Sequence, residues 1–509
     1  MIVIMANYKN KITSFVNQQK FIILILFGGA FLRFYHLGFE SYWLDEGQSV
    51  DCVLNFKKYF QDYFAGDNSN HPPLYYILLY FWTYLGIHEF TTRVLSTIIG
   101  LFTILIIYQF TKKFYGKNTG LLAALFLSLS TFHLQYCQEV REYILLIPLS
   151  LLGIFSFNSY LQENKLKHLI LFCIFSILGF WTHYFYAFTF VYLNLVYLFL
   201  FKKYKLRFRN WFLVQIIILI TIVPILIPVF KVFFIPVATG APTAIDWLKP
   251  PNIYSLKDLF FSDLSSISYL LFNPNISSLF RKLAKLLFLL LFIWGFLYPI
   301  FRNSKNLTFV TNHLVLSIYI LFYPLFIYLI SIYFKPIFNA RYLVSILPVY
   351  LIIVATGVDN LKVSFLKYMT ILFIFIISLS SSYAFFTQEA FTKDQYREVA
   401  LYIQENEKEG DIICINSEWP GVVFGVYYNN YYHKGNLKTK YFSDQQNHCH
   451  QLLSSLLKNH KRIWLVESNI GVYKNENINE FVENNYSKLK EVLELNLVKV
   501  NLYLYKVSG

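Results

Sequence analysis

The sequence predicts a polytopic α-helical membrane protein that carries a small C-terminal α/β domain, and three observations predict it. Of the 509 residues 56% are hydrophobic and only 14% charged, a balance that no soluble domain of this size shows. The apolar residues gather into runs, most approaching the roughly 20 residues a helix needs to cross a bilayer. After residue 390 the composition turns polar, with Lys, Glu and Asn throughout.

Charge gives the topology. The formal net charge is +15. A nucleic-acid binder would gather that charge in one patch. Here much of it lies in short loops between apolar runs, the pattern of cytoplasmic loops, so no nucleic-acid partner is expected. The five cysteines show no paired spacing and give no disulfide framework.

Lys9, Lys11 and Lys20 put the N-terminus in the cytoplasm. The first apolar run, Phe21 to Leu37, has no small-residue cleavage site after it and reads as a retained helix. It leaves residues 39–72 as the first outer loop. Further runs lie near 74–87, 92–111, 119–135, 143–161, 168–186, 187–201, 211–234, 283–301, 308–333, 341–357 and 366–386. Basic clusters at Lys112, Lys165, Lys202 to Arg209, Arg302 and Lys362 all fall on one side if the runs after residue 92 alternate.

One conflict arises, because an odd number of crossings must separate His71 from Lys112 and two runs lie between them. Either Leu74–Ile87 does not fully cross or the Lys112 cluster breaks the charge rule. The first is favoured: that run is the shortest, opens on Pro72–Pro73 and is rich in the Tyr and Trp of an interface. The count is then about eleven or twelve transmembrane helices, with the C-terminal domain, residues 391–509, extracytoplasmic. In that domain DQYREVALYIQENEKEG reads as an amphipathic helix, and DIICIN, KRIWLVES and VNLYLYKV as strands. A short helix from Ser255 is expected in the outer loop near 234–281. The NHCH run at Asn447 to His450 reads as surface loop rather than metal site.

This topology collects Asp45, Glu46, His71, Glu139, Arg141, Glu142, His183, Lys335 and Arg341 on the outer face. Ionisable groups at a membrane edge are costly and point to function. Each also has a bland reading: Asp45 could cap a helix, Arg341 could snorkel to head groups, and His183 could be a packing histidine. Together they suit transfer of a group from an anionic lipid carrier. An Arg would hold the phosphate, a carboxylate would take the proton of an acceptor hydroxyl, and a divalent ion, if used, would sit on carboxylate and imidazole, with Asp45, His71 and Glu139 as its candidate ligands. A flippase or transporter of that carrier is the competing class. A transporter should break its spans with polar or Gly/Pro residues near mid-membrane, which these spans do not combine with charge.

The motifs WLDE (Trp43 to Glu46), HPPLYY (His71 to Tyr76), QEVREY (Gln138 to Tyr143), THYF (Thr182 to Phe185) and ARYL (Ala340 to Leu343) resemble those of the bacterial protein-mannosyltransferase and aminoarabinose-transferase group. That group belongs to the GT-C superfamily of polyprenyl-phosphate-sugar-dependent glycosyltransferases. The resemblance runs over about residues 20–400. Val140 and Glu142 stand where the group has Ala and Met. It implies a GT-C fold and an inverting transferase using an undecaprenyl- or dolichyl-phosphate-linked monosaccharide, with a flippase or transporter of lipid-linked sugars, or an enzyme transferring a preassembled oligosaccharide, as the alternatives. It implies Asp45 as the catalytic base, with Glu46, His71, Glu139 and Arg141 around it. Chemistry adds Arg341, with Tyr342 beside it, as contact to the lipid phosphate. The group's acceptors are protein hydroxyls, lipids and glycans.

Overall fold

A computed structural model describes residues 19–66, 71–239, 245–301, 307–415, 418–431, 438–441, 462–468, 486–494 and 498–505. They form two compact units. The first comprises Met1–Tyr35, Phe60–Ile77 and Val94–Phe391; the second comprises His36–Tyr59, Leu78–Arg93 and Thr392–Gly509. The polar tail therefore shares its unit with most of the first outer loop.

The first unit is helical. Among the described residues six helices are long and apolar enough to cross a membrane: Glu89–Tyr115 (α5), Tyr143–Glu163 (α8), Phe208–Val229 (α11), and the stretches Phe309–Tyr333, Ala340–Asp359 and Ser364–Thr387. A bent pair, Lys117–Leu129 (α6) and Thr131–Cys137 (α7), makes a seventh if it is one span, with a 61° break between its halves. The chain is thus a multi-pass membrane protein. Other apolar runs form shorter helices. Leu166–Thr182 (α9) has 17 residues and Tyr186–Leu200 (α10) has 15, both short of what a straight span needs. The run after HPPLYY is Leu74–Trp82 (α4) with a 3-10 turn to Leu85, far too short at about 1.5 Å per residue to cross about 30 Å.

Burial sorts the helices. The α8 and 340–359 stretches are the most enclosed, whereas α11 turns Phe212, Leu213, Ile217, Leu219 and Ile220 outward, as a lipid-facing helix does. The helices Ser278–Phe301 and Leu347–Asp359 cross with their backbones in close approach. A Cβ at Gly295 would lie 2.0 Å from the Ile353 carbonyl oxygen, and one at Gly357 2.3 Å from that of Leu291. Only glycine allows two helix backbones so close. In the loop read as outer, Ile253–Asp258 is the expected short helix, with Asn252 capping it by accepting the Ser255 N–H at 3.2 Å.

The second unit holds the tail's mixed sheet: Ile412–Ile415 (β1), Lys438–Tyr441 (β2), Arg462–Ser468 (β3), Tyr486–Glu494 (β4) and Val498–Tyr505 (β5), in the order β2-β1-β3-β5-β4. Strand β1 is parallel to β2 and β3, and β5 is antiparallel to β3 and β4. All four residues of β1 are buried, as a strand paired on both edges and covered on both faces must be. The amphipathic helix is Tyr396–Asn406 (α18), which buries Tyr396, Val399, Ala400 and Ile403. The NHCH run lies outside the described residues.

Candidate active site

The carboxylate pair belongs to the second unit. Leu44–Leu54 (α2) starts after Trp43, so Asp45 and Glu46 both fall in its first turn, where the helix dipole favours negative charge. Neither is the N-cap. Their environments differ sharply. Asp45 is half-buried, and its backbone oxygen accepts the Ser49 hydroxyl at 3.0 Å. Glu46 is wholly buried. Arg93 holds it as a fork, Nε to Oε1 at 2.8 Å and Nη2 to Oε2 at 2.8 Å, and Lys393 Nζ adds a bond to Oε2 at 3.0 Å. Burial works to raise the Glu46 carboxyl. The Arg93 and Lys393 charges overcome it and bring the group down to about 2. Arg93 spends its other donors on the carbonyls of Leu37 at 3.0 Å, Glu40 at 2.8 Å and Ser41 at 3.0 Å. One guanidinium thus fixes the outer loop and the carboxylate together.

The first unit gathers the other motifs. His71, just before α4, stacks on His183, which ends α9, with ring centroids 4.6 Å apart. Glu142, ahead of α8, lies beneath both. Its Oε1 is 3.2 Å from His71 Nε2, 3.3 Å from Arg141 Nη2 and 4.0 Å from His183 Nε2. Tyr342 completes the wall, its ring 5.8 Å from that of His183 and 6.0 Å from that of Tyr143. Arg341 lies over the Trp247 ring at 5.4 Å. Burial, then the Arg141 and Arg341 charges, push the His71 imidazole well below its usual range. Burial and the neighbouring His71 do the same to His183, against the pull of Glu142. Glu139 takes a different partner: its Oε1 accepts the Gln135 amide at 3.0 Å, and Gln135 accepts the Tyr269 hydroxyl at 2.5 Å. Glu139 and Arg141, two positions apart, thus contact different side chains.

The turn carrying QEVREY is aimed by a residue that sequence reasoning passed over. Arg33, fully buried in the first helix (α1, residues 19–34), donates to the carbonyls of Leu127 at 3.1 Å, Ser128 at 2.8 Å and Gly29 at 3.0 Å, and to Cys137 Sγ at 3.3 Å. It also meets His133 Nδ1 at 2.7 Å. It therefore caps the carboxyl end of α6 at the break before α7. Gln138 returns the grip, its amide donating to the carbonyls of Arg33 at 3.0 Å and Tyr35 at 2.8 Å. An arginine inside an apolar run was the signal available.

Among the described residues one cluster has the size of a metal site: His71, Glu142 and His183, with ligand atoms within 4.8 Å of one another. It shares only His71 with the set expected from the sequence; Asp45 and Glu139 are not in it. The histidine chemistry does not fit an ion as arranged. His183 Nδ1 accepts the Phe185 backbone N–H at 3.1 Å, so the neutral ring carries its proton on Nε2, the atom facing Glu142. A metal-binding histidine has the opposite arrangement, with its second nitrogen donating. Glu142 Oε1 meets His71 and Arg141, while Glu142 Oε2 and His183 Nε2 meet no hydrogen-bond partner among the described residues.

Comparison with known proteins places this geometry. Residues 70–227, which include HPPLYY, QEVREY and THYF, match the family model described as dolichyl-phosphate-mannose-protein mannosyltransferase. An uncharacterized protein of Aquifex aeolicus is 31% identical over 120 residues, 22% of this chain, and the match spans 24% of that relative's length. ArnT of Cupriavidus metallidurans in the apo state superposes over 96% of this chain and 98% of its own, with a TM-score of 0.57 at 12% identity. The same protein bound to undecaprenyl phosphate gives 0.56 at 12% identity, over 96% and 99% of the two chains. The apo oligosaccharyltransferase of Archaeoglobus fulgidus gives 0.50 at 10% identity, over 88% of this chain and 69% of its own. The chain is therefore a membrane protein of GT-C glycosyltransferase fold whose segment from HPPLYY into α11 matches the protein-mannosyltransferase family.

Proposed function

We propose that this chain is a membrane glycosyltransferase that moves a monosaccharide from a polyprenyl-phosphate carrier to an acceptor at the extracytoplasmic face, with inversion. One observation carries the reading: Glu46 is locked by Arg93 and Lys393, while its neighbour Asp45 is left partly exposed on the same helical turn. A carboxylate next to a fixed anchor is what a general base needs.

Asp45 takes the proton of the acceptor hydroxyl as that oxygen attacks the anomeric carbon. The bond from that carbon to the phosphate oxygen breaks, and the electron pair leaves with the polyprenyl phosphate. Attack from the face opposite the leaving group inverts the configuration. Arg141 and Arg341 bear the growing phosphate charge, which planar guanidinium groups match by bidentate hydrogen bonding. Glu142, with His71 and His183 stacked above it, orients Arg141 through the contact at 3.3 Å. The acceptor is a hydroxyl of a protein, lipid or glycan. The N-terminus is cytoplasmic and the C-terminal domain extracytoplasmic.

The description of the matching family names a dolichyl-phosphate sugar, and a solved structure of the same fold holds undecaprenyl phosphate, which supports a lipid-phosphate donor. The placement of the titratable residues supports transfer over transport. They sit at helix ends, in the first turn of α2, the turn from Cys137 to Tyr143 and the turn from Thr182 to Tyr186, and not at mid-span.

The test compares wild type with Asp45→Asn on a panel of polyprenyl-phosphate sugars, reading the anomeric configuration of the product. Transfer with inversion by wild type and none by the variant is expected. Full activity of Asp45→Asn would remove the base, and retained configuration would remove the single displacement.

A further inference from the structure

The first turn of α2 is fixed from outside that helix, and much of what fixes it comes from the tail. Lys393, 13% exposed, reaches Glu46. The Ser41 hydroxyl donates to the Asp394 carbonyl. Arg397 donates through Nη2 to the Phe39 carbonyl at 2.8 Å and through Nη1 to Glu89 Oε1 at 3.0 Å. The Tyr427 hydroxyl accepts the Tyr42 backbone N–H at 2.6 Å and donates to the same Glu89 oxygen at 2.9 Å. Glu418–Val426 (α19) lies directly on α2: a Cβ at Gly47 would come 2.6 Å from Val423 Cγ2.

These contacts lie within one compact unit and reach residues 39–47 directly or through Glu89. An 11-residue helix is marginal by itself, so α2 depends on them. Two of them are ion pairs that join a buried glutamate to a partly buried cation of the tail.

We propose that the C-terminal residues 393–427 clamp the loop carrying Asp45, with Lys393 and Arg397 as positioning residues that hold the first turn of α2 for catalysis. The functional half rests on Asp45 being the base. The tail is then part of the catalytic apparatus, whatever else it recognises. Lys393 acts through Glu46, and Arg397 through Glu89 and the Phe39 carbonyl.

The experiment uses the full-length protein in nanodiscs. Amide hydrogen exchange across residues 44–54 is measured beside initial rates of sugar transfer in wild type, the double variant Lys393→Ala/Arg397→Ala, the conservative Lys393→Arg and the mild Tyr427→Phe. In the double variant, exchange across α2 rises about tenfold and kcat falls about tenfold, while the donor KM moves less than about twofold. Lys393→Arg restores the values of wild type. A protein that merely loses folded molecules would show a lower kcat with α2 still protected in the folded fraction. Unchanged exchange across α2 overturns the clamp, and loosened exchange with unchanged kcat overturns its catalytic role. Should the double variant not fold, Tyr427→Phe, with exchange raised about threefold, decides the same question. Absence of transfer by wild type would sink the glycosyltransferase reading and the clamp's catalytic role with it, and exchange across α2 would still judge the clamp itself.

Discussion

Replacing Glu46 with Gln removes one negative charge and leaves Arg93 and Lys393 facing each other in a buried site. The cost can be worked two ways. Removing one partner of a buried ion pair costs about 3–5 kcal/mol, because the remaining charge is left unpaired. Independently, the Glu46 carboxyl is brought from 4.5 to about 2, which at about 1.4 kcal/mol per tenfold change in proton affinity is ~3 kcal/mol. The two agree at the precision of either. In detergent, the melting temperature of Glu46→Gln should fall by roughly 5 °C, while Asp45→Asn should stay within about 1 °C of wild type. The pH dependence has a definite sign. A carboxyl held down in the folded state stabilises above its unfolded value, and that contribution fades as pH falls from about 4.5 toward 2. The wild-type and Glu46→Gln curves should therefore converge in acid. If Glu46→Gln melts with wild type at neutral pH yet fails to transfer sugar, Glu46 is a reacting group and the anchor argument is wrong.

Other perturbations test separate parts of the site. Asp394 is 2% exposed, its Oδ2 meets no hydrogen-bond partner among the described residues, and burial pushes it up to about 7. The folded protein then binds that proton more tightly than the unfolded chain does, so stability falls as pH rises from about 4 to about 7. Asp394→Asn should be more stable than wild type at pH 8 by at most ~4 kcal/mol and equal to it near pH 4, as denaturation curves would read. Arg33→Lys offers three donors where the α6–α7 break uses the whole guanidinium fork, so kcat/KM for transfer should fall at least about tenfold; activity like wild type would remove Arg33 from the site. Arg341→Ala should raise the donor KM about tenfold with little loss of stability, and an unchanged donor KM would make it a snorkelling residue. Protein purified through a chelator should keep full activity, and one tightly held zinc per chain, lost in His183→Ala, would contradict the protonation argued for His183.

Much of the architecture could be read locally. Apolar runs, the basic loops and the polar tail fix the class, and the α18 helix and the strands β1, β3 and β5 lie where their own periodicity put them, because period and turn residues are short-range signals. The motifs also marked His71, Arg141, Glu142, His183 and Tyr342, which the fold brings together. What was not legible is pairing across the chain. Arg93 lies 47 positions from Glu46 and Lys393 lies 347 positions away, and nothing in either neighbourhood names its partner. Glu139 and Glu142 look equivalent in sequence. Which of them meets His71 is decided by the break at Ser130 and by Arg33 gripping it, both set by tertiary contacts. Tertiary contacts also set where α9 ends and α10 begins, at the Thr182 to Tyr186 turn, where His183 and Tyr186 are buried.

The most direct test of the central claim is a proteoliposome assay with a polyprenyl-phosphate sugar labelled in both sugar and phosphate. The purified wild-type protein is supplied with a crude membrane extract as acceptor. Sugar label is expected to move to the acceptor while one polyprenyl phosphate is released for each sugar transferred, with Asp45→Asn doing neither. Sugar that stays on its lipid but crosses the bilayer, equally in both proteins, would contradict that claim and make this chain a transporter.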